Sequence, residues 1–251
     1  MERYGLIGKP LGHSFSQKYF MEKFEREGID SRYDLFEIDS AGDVMDVIER
    51  NEGMVGLNVT IPYKQAIMSY LEGMEDEARA IGAVNVVSVG RDKSGKVRLW
   101  GYNSDVRGFV RSISPMIKSS DRKALVLGTG GASKAVVYGL REKLGLEVRL
   151  VSRSPEGDEL GYGDIDERIM REYTVIVNAT PLGMYPKVDS CPDIPYKFIT
   201  PEHVCFDLVY NPLETLFLKN AAEHGASVKN GLEMLHIQAD EAWDFWQAHK
   251  Q

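Results

Sequence analysis

Short apolar runs alternate along the chain with segments whose apolar residues recur every three or four positions, the pattern of an α/β protein. In the first region strands are expected over residues 4–7, 33–38, 56–59, 84–89 and 97–100, and helices over residues 17–27, 43–50 and 63–71. Asp92-Lys93-Ser94-Gly95 is a hairpin-turn sequence, so this region should end on an antiparallel pair. Past Asp105 the pattern becomes cleaner. A connecting helix over 106–113 is stopped by Ser114-Pro115. A strand over 123–127 then runs through a turn at 128–131 into a helix over 132–144, which Gly145 closes. Further strands over 147–151, 174–178 and 204–208 complete a βαβ series, which predicts a parallel sheet with right-handed crossovers. Leu235, Ala239, Ala242, Trp243 and Trp246 recur at helical spacing and predict a closing helix over the last stretch, from residue 232 to 249.

Composition narrows the classes. With 43% hydrophobic and 27% charged residues the chain reads as a soluble globular protein, and no segment is compositionally disordered. Its 251 residues are enough for one large domain or two small ones. A net charge of −8 argues against a nucleic-acid partner, which needs a basic face, yet leaves an anionic small substrate open because a few local groups make such a site. Cys191 and Cys205 lack the spacing of a zinc or redox pair, so reduced thiols and no metal are expected. No apolar run approaches the ~20 residues that span a bilayer. The first residues show no basic stretch leading into an apolar one, and a cytoplasmic protein is expected.

The turn at Gly128-Thr129-Gly130-Gly131-Ala132-Ser133 joins an apolar strand to a helix. Glycines there let a pyrophosphate approach the backbone, and free N–H groups at the helix start face the anion. Ser133 stands where the dinucleotide-binding pattern usually has its third glycine, and a plain structural turn is the alternative. The next strand ends in Ser152-Arg153-Ser154, where NAD-binding folds usually place an acid for the ribose 2′-hydroxyl. An arginine between hydroxyls suits a 2′-phosphate and favours NADP, against the alternative of a solvated surface arginine with Glu156 and Asp158 close behind.

Three patches in the first region carry polar groups beyond what structure requires. Ser14 and Ser16 flank Phe15 just before a helix, where N-capping by Ser16 would explain one serine and not both. Asn58-Val59-Thr60-Ile61-Pro62-Tyr63-Lys64 ends a strand and puts Lys64 in the first turn of the expected helix, where the dipole favours a neutral amine ready to exchange a proton. A surface lysine is the competing reading. Gly82-Ala83-Val84-Asn85 and Gly101-Tyr102-Asn103-Ser104-Asp105 complete the set. Asp105 suits either a helix N-cap or the charge that tunes Lys64.

In their order these segments resemble the shikimate dehydrogenase family over essentially the whole chain. The matching stretches are Gly-x-Pro-Leu-x-His-Ser-x-Ser at 8–16, Asn-Val-Thr-x-Pro-x-Lys at 58–64, Gly-Ala-Val-Asn at 82–85 and Gly-x-Asn-x-Asp at 101–105. They continue with Gly-x-Gly-Gly-Ala at 128–132, Asn-Ala-Thr-Pro-Leu-Gly-Met at 178–184, Asp-Leu-Val-Tyr-Asn-Pro at 207–212 and Gly-Leu-x-Met-Leu-x-x-Gln-Ala at 231–239. The resemblance implies a two-domain α/β fold: a mixed-sheet substrate domain over 1–104, a Rossmann-like doubly wound dinucleotide-binding domain over 105–231, and a C-terminal helix, 232–251, returning to the first. It implies that Lys64 and Asp105 are the catalytic pair and that Ser14 and Ser16 hold a substrate carboxylate. Thr60, Asn85, Tyr210 and Gln238 would line the rest of the substrate, with Asn58 near the carboxylate or the lysine. Gly128, Thr129, Gly130, Gly131 and Ala132 would hold the pyrophosphate of NADP, and Ser152, Arg153 and Ser154 its 2′-phosphate. Asn178, Ala179, Thr180, Leu208 and Gly231 would lie beside its other half, and Asp76 aligns with a position sometimes near the cofactor.

The activity so implied is reversible NADPH-dependent reduction of 3-dehydroshikimate to shikimate in aromatic amino-acid biosynthesis, by a monomer or homodimer with no nucleic-acid or membrane partner. The chain departs from the family pattern in three places. Gln17 replaces a proline, Ser152 and Gly157 stand where an Asn and a second basic residue are usual, and trimmed loops are expected around 155–172. Competing readings are a quinate/shikimate dehydrogenase preferring NAD, a catalytically silent ligand-binding relative, and an unrelated Rossmann oxidoreductase.

Overall fold

The computed structural model describes residues 1–12 and 14–250; His13, inside the first motif, and Gln251 lie outside the described residues. The chain is α/β and divides into two compact units, Met1–Ser104 with Ala239–Gln251, and Asp105–Gln238.

The first unit contains β1 (Glu2–Gly8), α1 (Phe15–Glu27), β2 (Ser31–Glu37), α2 (Val44–Arg50), β3 (Met54–Val59), β4 (Gly73–Met74), α3 (Asp76–Ile81), β5 (Val86–Arg91) and β6 (Val97–Tyr102). They build one mixed sheet in the order β2-β1-β3-β5-β6-β4. β1 pairs in parallel with β2 and β3, while β5 is antiparallel to both β3 and β6. The hairpin between β5 and β6 turns on Asp92, whose Oδ1 accepts from the Ser94 N–H at 2.9 Å and the Lys96 N–H at 3.1 Å. Alternation along the strands gives each face its own core. Ile7, Leu57, Val59, Val87 and Leu99 meet Val44 and Ile48 of α2 on one side. Tyr4, Leu6, Val86 and Tyr102 meet Phe20 and Phe24 of α1 on the other, with Ala242, Phe245 and Trp246 from the C-terminal helix. Gly56 leaves room for that tryptophan: a Cβ there would lie 2.6 Å from the indole Nε1, which donates to the Val87 carbonyl at 3.0 Å.

The second unit takes up α4 (Ser104–Ile113) after its first residue. It continues through β7 (Lys123–Leu127), α5 (Gly131–Tyr138), β8 (Glu147–Ser152), β9 (Leu160–Gly161), α6 (Glu167–Glu172), β10 (Val175–Asn178), β11 (Val204–Asp207), α7 (Leu216–Glu223) and β12 (Ser227–Lys229) to the start of α8 (Leu232–Ala248). The sheet order is β12-β11-β10-β7-β8-β9, and every pairing is parallel. β10 and β11 are buried at every residue, as central strands covered on both faces must be. One face packs Phe109, Ile113, Val136 and Leu140, the other Ile169, Met170, Phe217 and Leu218. No helix among the described residues is long and apolar enough to cross a membrane.

Several expectations need correction. Residues 63–71 form no α-helix. A turn leads into a 3-10 segment at Ala66–Tyr70, because the Lys64 carbonyl accepts from Val84 N at 2.8 Å while Met68 N turns to Gln65 O. Apolar spacing satisfied by Tyr63 and Ile67 in the core does not distinguish the two. The expected helix over 132–144 is α only to Tyr138 and widens to π over Gly139–Lys143. β4, β9 and β12, at two or three residues, are too short to show a period. α3, α6 and α7 were not expected either.

Trp246 is 1% exposed and closes the second core of the first unit. Trp246→Ala is expected to lower unfolding free energy by about 3–5 kcal/mol in urea titrations; a loss under about 1 kcal/mol would contradict this packing.

Candidate active site

In the parallel sheet the chain runs outward from β7 to β8 and β9, then crosses back to place β10 on the other side of β7. The loops after β7 and β10 diverge there and leave a crevice at the carboxyl ends of the strands. It is a cavity of about 470 Å³. Gly128, Thr129 and Gly130 form one wall, Ser152, Arg153 and Ser154 a second, and Ala179 and Thr180 a third. Gly128 has φ +103°, which disfavours any side chain, and a Cβ there would lie 2.8 Å from Thr180 Cγ2. Gly130 is the cap residue before α5, no side chain caps the helix N–H groups, and the space beside Gly130 and Gly131 is open. That cradle suits a phosphate. Ser133, in place of the third glycine, is buried and donates to the Gly130 carbonyl at 2.6 Å, so it tightens the turn.

Arg153 is exposed and enters no hydrogen bond or ion pair with the described residues, leaving a guanidinium free for an anion. Glu156 and Asp158 are exposed in the following loop and outside the cavity lining. Gly131 and Ala132, in the first turn of α5, and Leu208 and Gly231 are also outside the lining. Gly231 permits a close approach, since a Cβ would meet the Leu208 carbonyl at 2.3 Å.

Beneath the cavity lies a hub of hydrogen bonds. Asn178 Oδ1 accepts from the Thr180 N–H at 3.0 Å and hydroxyl at 2.6 Å, while its Nδ2 donates to Asp207 Oδ1 at 3.0 Å. Asp207 also accepts from Val209 N at 2.9 Å and from the Thr215 hydroxyl at 2.6 Å. Burial pushes the Asp207 carboxyl up to about 6, against the opposing pull of its three donors. Tyr210 follows in the same loop, and burial raises its phenol above the ordinary value.

In the first unit, Ser14 rather than Ser16 caps α1, accepting from Gln17 N at 3.4 Å. Ser16 lies in the first turn of that helix. Tyr33 donates to Asn58 Oδ1 at 2.7 Å, and Asn58 Nδ2 donates to the Asn85 carbonyl at 3.3 Å. Asn85 and Ser104 exchange hydrogen bonds, Nδ2 to Oγ at 3.0 Å and Ser104 N to Oδ1 at 2.8 Å. Asn103 Nδ2 donates to the Ala83 carbonyl at 2.9 Å. Tyr33, Asn58 and Asn85 thus share one network. Thr60 N is fixed to Ile7 O at 2.9 Å, and the Lys64 backbone is tied to Val84, next to Asn85. Lys64 is half-buried in a turn, so the helix-dipole argument made for it fails. Asp105 is buried inside the first turn of α4, which rules out the capping role. Asp105, Tyr210 and Gln238 belong to the second unit. Asp76 lies exposed on α3 and joins none of these arrangements. Among the described residues no group of three or more His, Cys, Asp or Glu is placed to hold a metal ion.

Residues 6–87 match the model of the shikimate dehydrogenase substrate binding domain. Shikimate dehydrogenase (NADP(+)) of Clostridium beijerinckii is 40% identical over 98% of this chain and 92% of that protein. The chain belongs to the shikimate dehydrogenase family. Among solved structures of the family, that of the Thermus thermophilus enzyme in complex with NADP(H) and shikimate is similar with a TM-score of 0.84 at 32% identity, covering 99% of this chain and 94% of that one. Quinate dehydrogenase from Corynebacterium glutamicum in complex with NAD is similar at 0.85 and 26% identity, over 98% and 94%.

Three residues of this family member escaped the sequence reading. Tyr162 lines the cavity with Arg153, delivered there by β9, which pairs with β8. Tyr33 and Asp207 hold other site residues in place; Asp207 lay inside a motif without a role. The raised carboxyl of Asp207 binds its proton more tightly folded than unfolded, so its contribution to stability falls as pH rises from about 4 to about 6. Asp207→Asn keeps the acceptor for Asn178 and Val209 and turns an N–H toward Thr215 Oγ1. Relative to the parent protein, this variant is expected to gain up to roughly 3 kcal/mol between pH 4 and pH 7 in denaturation experiments. A pH-independent difference would contradict the buried-carboxylate account.

Proposed function

We propose that this protein is an NADP-dependent shikimate dehydrogenase that reversibly reduces 3-dehydroshikimate to shikimate, a step of aromatic amino-acid biosynthesis. The observation that carries the reading is the glycine-walled cavity with an unpaired Arg153 on its second wall, on a chain that also holds Lys64 and Asp105 in the family's motif positions. The named relatives support it: one is a shikimate dehydrogenase (NADP(+)), another was solved with NADP(H) and shikimate.

In this reading residues 1–104 with 232–251 bind the substrate and residues 105–231 bind NADP. The bound nicotinamide supplies or takes the hydride. Ser14 and Ser16 donate to the substrate carboxylate, and Asn85, Thr60, Tyr210 and Gln238 recognise ring hydroxyls by directional hydrogen bonds, with less desolvation than charged clamps require. Lys64 gives the developing alkoxide its proton, and Asp105 orients the reacting hydroxyl beside it. No metal has a task, because the ammonium supplies both positive charge and proton. Arg153 and its flanking serines grip the 2′-phosphate, and the loop at Gly128–Gly130 with the start of α5 holds the pyrophosphate. The protein acts in the cytoplasm on a small molecule, as a monomer or homodimer.

The direct test mixes shikimate or quinate with NADP⁺ or NAD⁺ and follows reduced cofactor by absorbance. Fast formation is expected with shikimate and NADP⁺; equal or faster turnover of quinate with NAD⁺ would replace the reading with the quinate one. Lys64→Ala is expected to lower kcat by roughly 10²–10⁴-fold while the Kd for NADP⁺ stays within about twofold. Comparable turnover in that variant would remove Lys64 from the chemistry. Arg153→Ala is expected to weaken NADP⁺ roughly 10–100-fold in calorimetry and leave NAD⁺ unchanged; equal loss for both would assign the 2′-phosphate elsewhere.

A further inference from the structure

We propose that the Tyr162 hydroxyl is a second anchor for the 2′-phosphate of NADP, donating to it beside Arg153 and so helping to select NADP over NAD. This rests on the reading that Arg153 and its flanking serines face that phosphate.

Sheet register brings the two residues together. β9 pairs in parallel with β8, Ser152 opposite Gly161, so Arg153 and Tyr162 are the next residue of each strand at the carboxyl edge of the sheet. A Cβ at Gly161 would lie 3.7 Å from Pro155 Cγ, so the loop leaving Arg153 rests against the residue before Tyr162. Both side chains line the cavity, together with Ser152 and Ser154. Tyr162 opens a 3-10 turn, Tyr162–Asp164, whose start is fixed by the Gly161 N–H donating to Asp164 Oδ2 at 2.8 Å. The tyrosine itself packs against the apolar cluster that contains Val151, Ile165 and Ile169. The protein therefore holds the ring, and its place does not depend on a ligand.

The hydroxyl has no such engagement. It enters no hydrogen bond with the described residues, although the polar tip of a half-buried tyrosine ordinarily finds a partner. Burial raises the phenol above its ordinary value, against the pull of the Arg153 charge, so it keeps its proton at neutral pH and can donate. A phosphate accepts several hydrogen bonds, and one guanidinium meets it with two. The loop after Arg153, Ser154-Pro155-Glu156-Gly157-Asp158-Glu159, holds no second basic residue. Gly157 has φ +62° with open space beside it, and acids flank it on both sides. A second cation here would be drawn to Glu156 and Asp158, whereas a neutral phenol adds a directed bond and is not. NAD has a hydroxyl at the 2′ position, with no charge to strengthen that bond, so the same donor favours NADP.

Calorimetric titration of Tyr162→Phe with NADP⁺ and with NAD⁺ tests this. Phenylalanine keeps the ring and its packing and removes only the hydroxyl. The Kd for NADP⁺ is expected to rise roughly 5–20-fold, with the Kd for NAD⁺ within about twofold of the parent protein's. Adenosine 2′,5′-bisphosphate, which carries the phosphate without the nicotinamide half, is expected to lose affinity by the same factor as NADP⁺. A rise under about twofold for NADP⁺ overturns the proposal. So does an equal rise for both cofactors, which places the hydroxyl on the adenine or the ribose, or reports a general structural defect. A loss confined to the whole dinucleotide and absent for the bisphosphate overturns it as well. Wild-type preference for NADP⁺ that Tyr162→Phe leaves intact sinks this role alone. Wild-type protein that binds NAD⁺ as tightly as NADP⁺ sinks the NADP reading and this role with it.

Discussion

Asn85 is the point on which the first unit's site depends. Its carbonyl accepts from Val59 N at 2.9 Å and from the Asn58 amide, and its own N–H donates to Tyr102 O at 3.1 Å. Its side chain exchanges hydrogen bonds with Ser104. One 3% exposed amide thereby registers the end of β3, the end of β6 and the first residue of α4. A buried amide with fewer partners would cost about 1–3 kcal/mol for each group left unpaired, so the arrangement tolerates little drift. Asn58 and Thr60 sit at the end of β3, so these candidate groups inherit their positions from this bracing.

The second unit solves a different problem with similar means. Its parallel sheet opens a crevice wherever strand order reverses, and the reversal falls between β7 and β10. Topology supplies the place, but loops after strands are mobile by default. Asp207 restrains two of them, binding Asn178 on one side and Val209 with Thr215 on the other. A carboxylate buried this deeply costs stability when ionised, as its upward shift records. The cost is set against the ordering of Ala179 and Thr180 at the cavity wall.

Much of this was legible in the residues. The strand–glycine–helix passage at 123–133 and the short apolar runs of β1, β3 and β5 carry clear signals, and the ordered motifs located the candidate groups. What escaped shares a physical reason: it depends on partners distant in sequence. Lys64 was assigned to a helix because Pro62 suits a helix start, whereas its carbonyl is claimed by Val84, twenty positions on. Ser16 looked like a cap until Ser14 took that place. Tyr33 looked like any core aromatic of a strand, and only its meeting with Asn58 gives its hydroxyl a task. Tyr162 reaches the cavity through a two-residue strand that no pattern announces.

The central claim is that the chain passes a hydride between the ring carbon of shikimate and NADP. Shikimate deuterated at C3, incubated with the protein and NADP⁺ and followed by proton and deuterium NMR, tests it most directly. The account predicts deuterium at C4 of the reduced nicotinamide, in step with 3-dehydroshikimate formation. Unlabelled reduced cofactor, or no transfer from shikimate under conditions where labelled quinate and NAD⁺ react, would contradict it.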